Sequence, residues 1–368
     1  MKVVPTFLIC ALYLILCAAV VLGNIITTTN TTTSNQNTTA DGKSSHRNLK
    51  LKPVSIPNRM QWDCNFANSA CCDASCNTAI CDGYCGSVTL QETLLTYGAY
   101  VSQGIIRRVV AFNDKDDARD ILIDTHRPNF QPDLATTAQM LGLDTKTWYA
   151  KFVNKSGLKK FIRWAKRQIN RFDAPVAMGV IFQGSKETTY DHIVTAMKSL
   201  KKKGLYFNDH YSSGRKLALV SSMPSSGSAC SSSEYCFSRN MYGVALRRPT
   251  TISKESLVRL QIVNSDSSSL NEEPNWTCSL NNAVKLTMNA KQAYPTTMDN
   301  GIKKYVAIIF KGKSSQDVRD ATDIWSGKPT KCYEMLSVNG VYQAEFDVMS
   351  DEAVYSKVVE EGSGCSLV

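Results

Sequence analysis

Histidine is scarce in this chain. Only four occur in 368 residues, His46, His126, His192 and His210, so any imidazole base must be one of them. Long apolar runs are scarcer still. One occupies Phe7 to Leu22, and no later stretch is long enough to span a bilayer. The cysteines lack the paired Cys-x-x-Cys spacing of a zinc knuckle, which argues against a metal site. Dense basic tracts are missing too. The net charge of +10 is modest and scattered, apart from Lys201-Lys202-Lys203, which reads as a solvated turn. That balance argues against nucleic acid as a partner. No cofactor is expected.

What is present begins with the N-terminus. Met1-Lys2 is a short basic start, the apolar run follows, and Gly23 closes it. This is the shape of a secretory signal peptide cleaved near Gly23–Asn24, with a signal anchor as the alternative. An exported chain, secreted or delivered to the endolysosomal lumen, matures in an oxidising compartment. Residues 24–46 are rich in Thr, Asn and Ser and cannot bury a core, so they read as a polar stalk. Glycosylation sequons occur at Asn30, Asn37, Asn154 and Asn275.

Cysteine parity then matters. Cys10 and Cys17 leave with the signal, and eleven cysteines remain. Ten can form five bridges, leaving one thiol. Parity alone does not choose between Cys85 and Cys365 as the odd residue. The terminal Cys365-Ser-Leu-Val has the outline of a prenylation box, which an exported chain would not use. Five cysteines fall in the eighteen positions 64–81, which read as a disulfide-tied insertion.

The rest of the chain shows α+β texture. From Leu90 to Trp164 the pattern is mostly helical. Ser156 is placed to cap a helix with Leu158, Phe161, Ile162, Ala165 and Ile169 on one face and Lys and Arg opposite. Pro175 ends it, and strands are expected at Val176–Phe182, His192–Met197 and Gly204–Phe207. After residue 240, alternating or β-branched runs at Tyr242–Leu246, Leu257–Val263, Val284–Met288, Tyr305–Phe310 and Tyr342–Val348 predict a small β-sandwich. Cys278 and Cys332 are candidates to staple it.

The chemistry centres on Asp82-Gly83-Tyr84-Cys85-Gly86-Ser87. Glycines on both sides of Cys85 permit a sharp turn and close backbone approach. The apolar periodicity that follows puts the cysteine at a helix N-terminus, where the dipole favours a thiolate. The competing reading is a disulfide cysteine in a tight turn. His192 opens a strand and can face a cysteine on a neighbouring helix end. Asp209, seventeen residues on, closes the next strand and can orient the imidazole. Asn208 is the alternative third member. Gln61 is the candidate oxyanion donor, with the Cys85 N–H, a contribution of ~3 kcal/mol.

Met60-Gln61-Trp62, Gly83-Tyr84-Cys85-Gly86, Thr96 to Gln103, Tyr190-Asp191-His192-Ile193-Val194 and Phe207-Asn208-Asp209 occur in that order. As a set they resemble the peptidase domain of the bacteriocin-processing (family 39-like) cysteine peptidases. The resemblance implies a papain-like fold, with a helical half and an antiparallel sheet, and a catalytic core of Cys85, His192, Asp209 and Gln61 acting on a peptide or protein substrate. The chain then divides into a signal peptide (1–23), stalk and linker (24–53), a peptidase-like domain (54–247) and a β-sandwich-like domain with tail (248–368). One departure stands out. Twenty-three residues separate Gln61 from Cys85, and the cysteine-rich insertion fills them. A catalytically silent surface or matrix glycoprotein with the same fold is the competing function.

Overall fold

The computed structural model describes residues 85–109, 121–123, 134–151, 153–185, 189–200, 204–208, 215–219, 230, 235–237, 239–265, 285–294 and 301–368. The expected signal peptide, stalk and cysteine-rich insertion lie outside these residues. So do Gln61, Asp209, His126, His210, Cys278 and the sequons at Asn30, Asn37 and Asn275.

The helices are α1 (Cys85–Thr96), α2 (Gln103–Val109), α3 (Leu134–Met140), α4 (Lys155–Phe172) and α5 (Ser315–Asp320). Helix α1 is buried on every side from Gly86 to Thr96, as a central helix must be. Several of its polar side chains find backbone partners. The Thr93 and Thr96 hydroxyls donate to carbonyls four residues back, and Gln91 Nε2 donates to the Val101 carbonyl at 2.8 Å. Gly98, at φ 92°, ends the helix, and a Cβ there would lie 2.7 Å from the Ser356 carbonyl oxygen.

Helix α4 follows its amphipathic pattern, with Leu158, Phe161, Ile162, Ala165 and Ile169 buried. Its cap is Asn154 rather than Ser156. The Asn154 Oδ1 accepts from the Ser156 and Gly157 N–H groups, both at 3.0 Å. Asp173 in the left-handed conformation closes the helix ahead of Pro175.

A seven-stranded sheet runs β2 (Asp144–Ala150), β8 (Met241–Arg247), β3 (Val176–Phe182), β4 (His192–Ser199), β5 (Gly204–Asn208), β6 (Arg215–Leu219), with β7 (Tyr235–Phe237) also paired to β3. All its pairings are antiparallel. The sequence expectation of a helical stretch through 144–150 fails here. Thr145, Thr147, Trp148 and Tyr149 suit a pleated edge, and they pair along β8. Helix α4 covers one face of the sheet through Val176, Met178, Val194, Ala196 and Phe207. Helix α1 covers the other, with Ala177, Ile193 and Val244 in its cluster.

Two four-stranded sheets make up most of the remainder. One has the order β1 (Ala99–Val101), β15 (Ala353–Glu360), β11 (Lys304–Gly312), β12 (Lys331–Glu334). The other is β13 (Leu336–Val338), β14 (Val341–Met349), β10 (Lys285–Gln292), β9 (Val258–Ser265). They share a core of Val306, Ile308 and Val354 against Leu286, Met288 and Phe346. The described molecule is therefore α+β with antiparallel sheets.

Residue 248 marks a change of sheet but not a break in packing. Strand β1, from the N-terminal half, pairs with β15 through Ala99↔Tyr355. Its Tyr100 enters the core between the two sheets, while Ala99 and Val101 enter the α1 cluster. That cluster also takes in Ile309, Trp325 and Tyr355. The described residues accordingly form one compact unit.

Two disulfides lie among the described residues, Cys230–Cys236 and Cys332–Cys365. Cys332 thus joins the C-terminal tail rather than Cys278. The tail is sewn to β12, with the Cys332 N–H donating to the Ser366 carbonyl and the Val368 N–H to the Cys332 carbonyl. The disulfide also removes the thiol that a prenylation box would need. Both bridges suit an oxidising compartment. Among the described residues no helix is long and apolar enough to cross a membrane.

Candidate active site

Cys85 is the first residue of α1, half-buried, and it keeps its thiol. With Cys365 bridged to Cys332, the parity question left by the sequence is answered at that position. The packing beside Cys85 depends on Gly86. A Cβ built on Gly86 would overlap the Ile121 carbonyl oxygen and lie 2.9 Å from both the carbonyl carbon and the Ile121 Cβ. Gly86 is needed for close approach, as the flanking glycines suggested.

Three contacts set the direction of α1 across the sheet. At its C-terminal end the Tyr97 hydroxyl lies 2.9 Å from the Leu246 carbonyl and 3.1 Å from that of Asp173. Leu246 sits where β8 ends and β3 begins, with its N–H on the Pro175 carbonyl. Further up, Asn208 Nδ2 donates to Glu92 Oε1 at 3.1 Å, and Asn208 is the register partner of Thr195. Twelve helical residues rise about 18 Å and seven strand residues about 23 Å, so α1 spans nearly the length of β3. Its N-terminus therefore arrives at the end of the sheet where β4 starts, and the first residue of β4 is His192.

Cys85 and His192 thus share one end of the sheet. They do not share a face. Val180 is the register partner of His192, and Val180 and Val194 both belong to the α4-side core. Ile193 and Asn208 face α1 instead. The imidazole is fully buried and stacked on Phe182, with centroids 5.3 Å apart and planes at 15°. Tyr235 lies 6.0 Å away on the same side and packs edge-on to Phe207 at 5.7 Å.

Asn208, the alternative third member, is turned towards α1 and engages Glu92, away from the imidazole. Asn154, the one described sequon residue, is exposed at the α4 cap. No group of three or more His, Cys, Asp or Glu side chains capable of holding a metal occurs among the described residues.

Several contributors escape the sequence. Asp191 ties off β3, its carboxylate accepting from the Phe182 N–H at 2.9 Å and its own N–H donating to the Val180 carbonyl. The Cys230–Cys236 bridge clips β7 to the turn after β3, where the Gly184 N–H donates to the Cys230 carbonyl. Phe182 and Tyr235 form the wall of the imidazole. A strand-ending aspartate beside a strand-opening histidine was a readable signal; the two aromatics were not, since their approach depends on register.

The chain matches no family model, no curated protein and no solved structure.

Proposed function

We propose that the chain is an exported thiol hydrolase of papain-like type, cutting a peptide or amide bond. The observation that carries this reading is the thiol of Cys85 at the N-terminus of a buried helix, delivered to the end of the sheet where His192 begins β4. Helix dipole and open N–H groups there favour the thiolate. In the reaction the thiolate sulfur bonds to the carbonyl carbon, and the electron pair moves onto oxygen. Gln61 and the Cys85 N–H stabilise that oxyanion. The amine leaves with a proton from the His192 imidazolium, and water, deprotonated by His192, then releases the acid from the thioester. Asp209 orients the ring.

A second reading, a catalytically silent exported glycoprotein that keeps the fold, is favoured by the stacking of His192 on Phe182 away from the α1 face. Alkylation separates the two. At about pH 6 an ordinary thiol, with a pKa near 8.5, is under about 1% ionised. The hydrolase reading expects iodoacetamide to modify Cys85 at least ~10-fold faster than a small reference thiol. It also expects His192→Gln to slow the reaction and Cys85→Ala to abolish the adduct. Intact protein whose Cys85 stays unmodified, or reacts at the reference rate regardless of residue 192, refutes the hydrolase and leaves the silent protein.

A further inference from the structure

The outer face of α4 is strongly basic. Lys155, Lys159, Lys160, Arg163, Lys166, Arg167 and Arg171 follow one another along it, and the helix holds no Asp or Glu. At about 100° per residue all of these cations fall within an arc of about 160°. Five of them (Lys155, Lys159, Arg163, Arg167 and Arg171) stand four residues apart in an unbroken exposed line about 24 Å long.

That line is unfavourable for the isolated fold. Each of its like-charged i,i+4 pairs destabilises a helix. Lys155 and its neighbours also oppose the positive end of the helix dipole, and no acid stands in the first turn. Among the described residues none of these side chains makes an ion pair. Lys166 alone has a hydrogen-bond partner, the Leu200 carbonyl at 2.6 Å. A linear ligand of opposite charge relieves both penalties.

We propose that the α4 face binds a sulfated polysaccharide. The apolar side of α4 is sealed in the sheet core by Leu158, Phe161 and Ile169, so the helix cannot insert into a lipid surface as amphipathic membrane helices do. The aromatics that border the stripe, Trp164 and Phe172, pack against the sheet core, which disfavours base stacking with single-stranded nucleic acid. The disulfides point to an oxidising compartment, where the dense linear polyanions are sulfated sugars. The inference does not depend on thiol chemistry at Cys85.

The test uses the full disulfide-bonded chain and heparin as probe, titrated over a range of salt. Lys159→Gln/Arg163→Gln/Arg167→Gln removes the middle of the line. Lys313→Gln/Lys328→Gln/Lys331→Gln removes the same charge from exposed positions elsewhere. Far-UV circular dichroism checks that both variants keep the fold. The helix-line variant is expected to bind heparin at least ~10-fold more weakly, with a salt slope lower by about 3, while the control variant stays near wild type. Equal weakening of the two variants, undiminished binding by the helix-line variant, equal binding of desulfated heparin, or tighter binding to phosphatidylserine vesicles or duplex DNA overturns the proposal.

Discussion

Replacing Gly86 with alanine adds one methyl group at the seat of Cys85, and the structure sets its cost. The new Cβ would overlap the Ile121 carbonyl oxygen and sit 2.9 Å from two further Ile121 atoms, where relaxed carbon contacts need about 3.5–4.0 Å. The obstacle is backbone, so no side-chain rotation clears it. Ile121 and Ile123 are buried in the cluster with Leu90, Leu94 and Val109. Helix α1 strains, and the 121–123 segment retreats and gives up part of that burial. Overpacking costs about 1–3 kcal/mol, and losing a buried isoleucine about 1.5–3 kcal/mol. Alanine returns at most ~1 kcal/mol through helix propensity. The net loss is about 2–4 kcal/mol, a large share of the 5–15 kcal/mol that typically holds a domain.

Urea unfolding of the disulfide-intact chain, followed by tryptophan fluorescence, measures this loss. Gly340→Ala is the comparison. That glycine has φ +75° and nothing within 4 Å of a built Cβ, so alanine there costs only the left-handed backbone penalty, about 1–2 kcal/mol. A Gly86→Ala protein within about 0.5 kcal/mol of wild type, or less perturbed than Gly340→Ala, would show that the approach of Ile121 to α1 does not hold Cys85 in place.

Two further outcomes follow from the same structure. Burial raises the phenols of Tyr97 and Tyr355 well above the ordinary value of 10.0, with Tyr294 and Asp173 adding to the shift at Tyr97. The folded state holds both protonated while the unfolded chain ionises them. Stability should therefore be unaffected below about pH 10 and fall above it by about 1.4 kcal/mol per pH unit for each phenol. Denaturation midpoints from pH ~9 to ~11, read beside phenolate absorption, check this, and phenolate signal from both residues in still-folded protein contradicts it. At Asn154, the side-chain oxygen caps α4 while the sequon offers the amide nitrogen to a glycan. Asn154→Ala should cost about 1 kcal/mol, whereas Asn154→Asp should keep the cap and lose the glycan mass in chain made by a glycosylating host. Equal destabilisation by both substitutions, or an unchanged mass for Asn154→Asp, sinks the dual role.

The legible parts of the fold are those written in local periodicity. Helix α4 and strands β3, β4 and β5 declare themselves by their 3.6- and 2-residue patterns, and five later runs match β8, β9, β10, β11 and β14 to within a few residues. Strand β2 was hidden because its apolar residues are few and its pairing with β8 is long-range. Strand β1 was hidden because three residues carry no period; only β15, some 250 positions later, makes Ala99–Val101 a strand. Disulfide partners were equally non-local. Cys332 takes Cys365 because the tail runs beside β12, which composition does not encode.

The same distinction divides the site. Bringing Cys85 to the His192 end is a matter of topology, and the order of elements was enough to suggest it. Which face His192 occupies is a matter of parity, and a shift of one residue would invert it. Here parity is pinned from both sides. A one-residue slip of β4 would expel Ile193 from the α1 cluster, draw Val194 out of the α4 core and part Thr195 from Asn208, whose amide is held by Glu92. The register is thus too costly to slip, and it holds the imidazole beside Phe182 and Tyr235 at the start of β4.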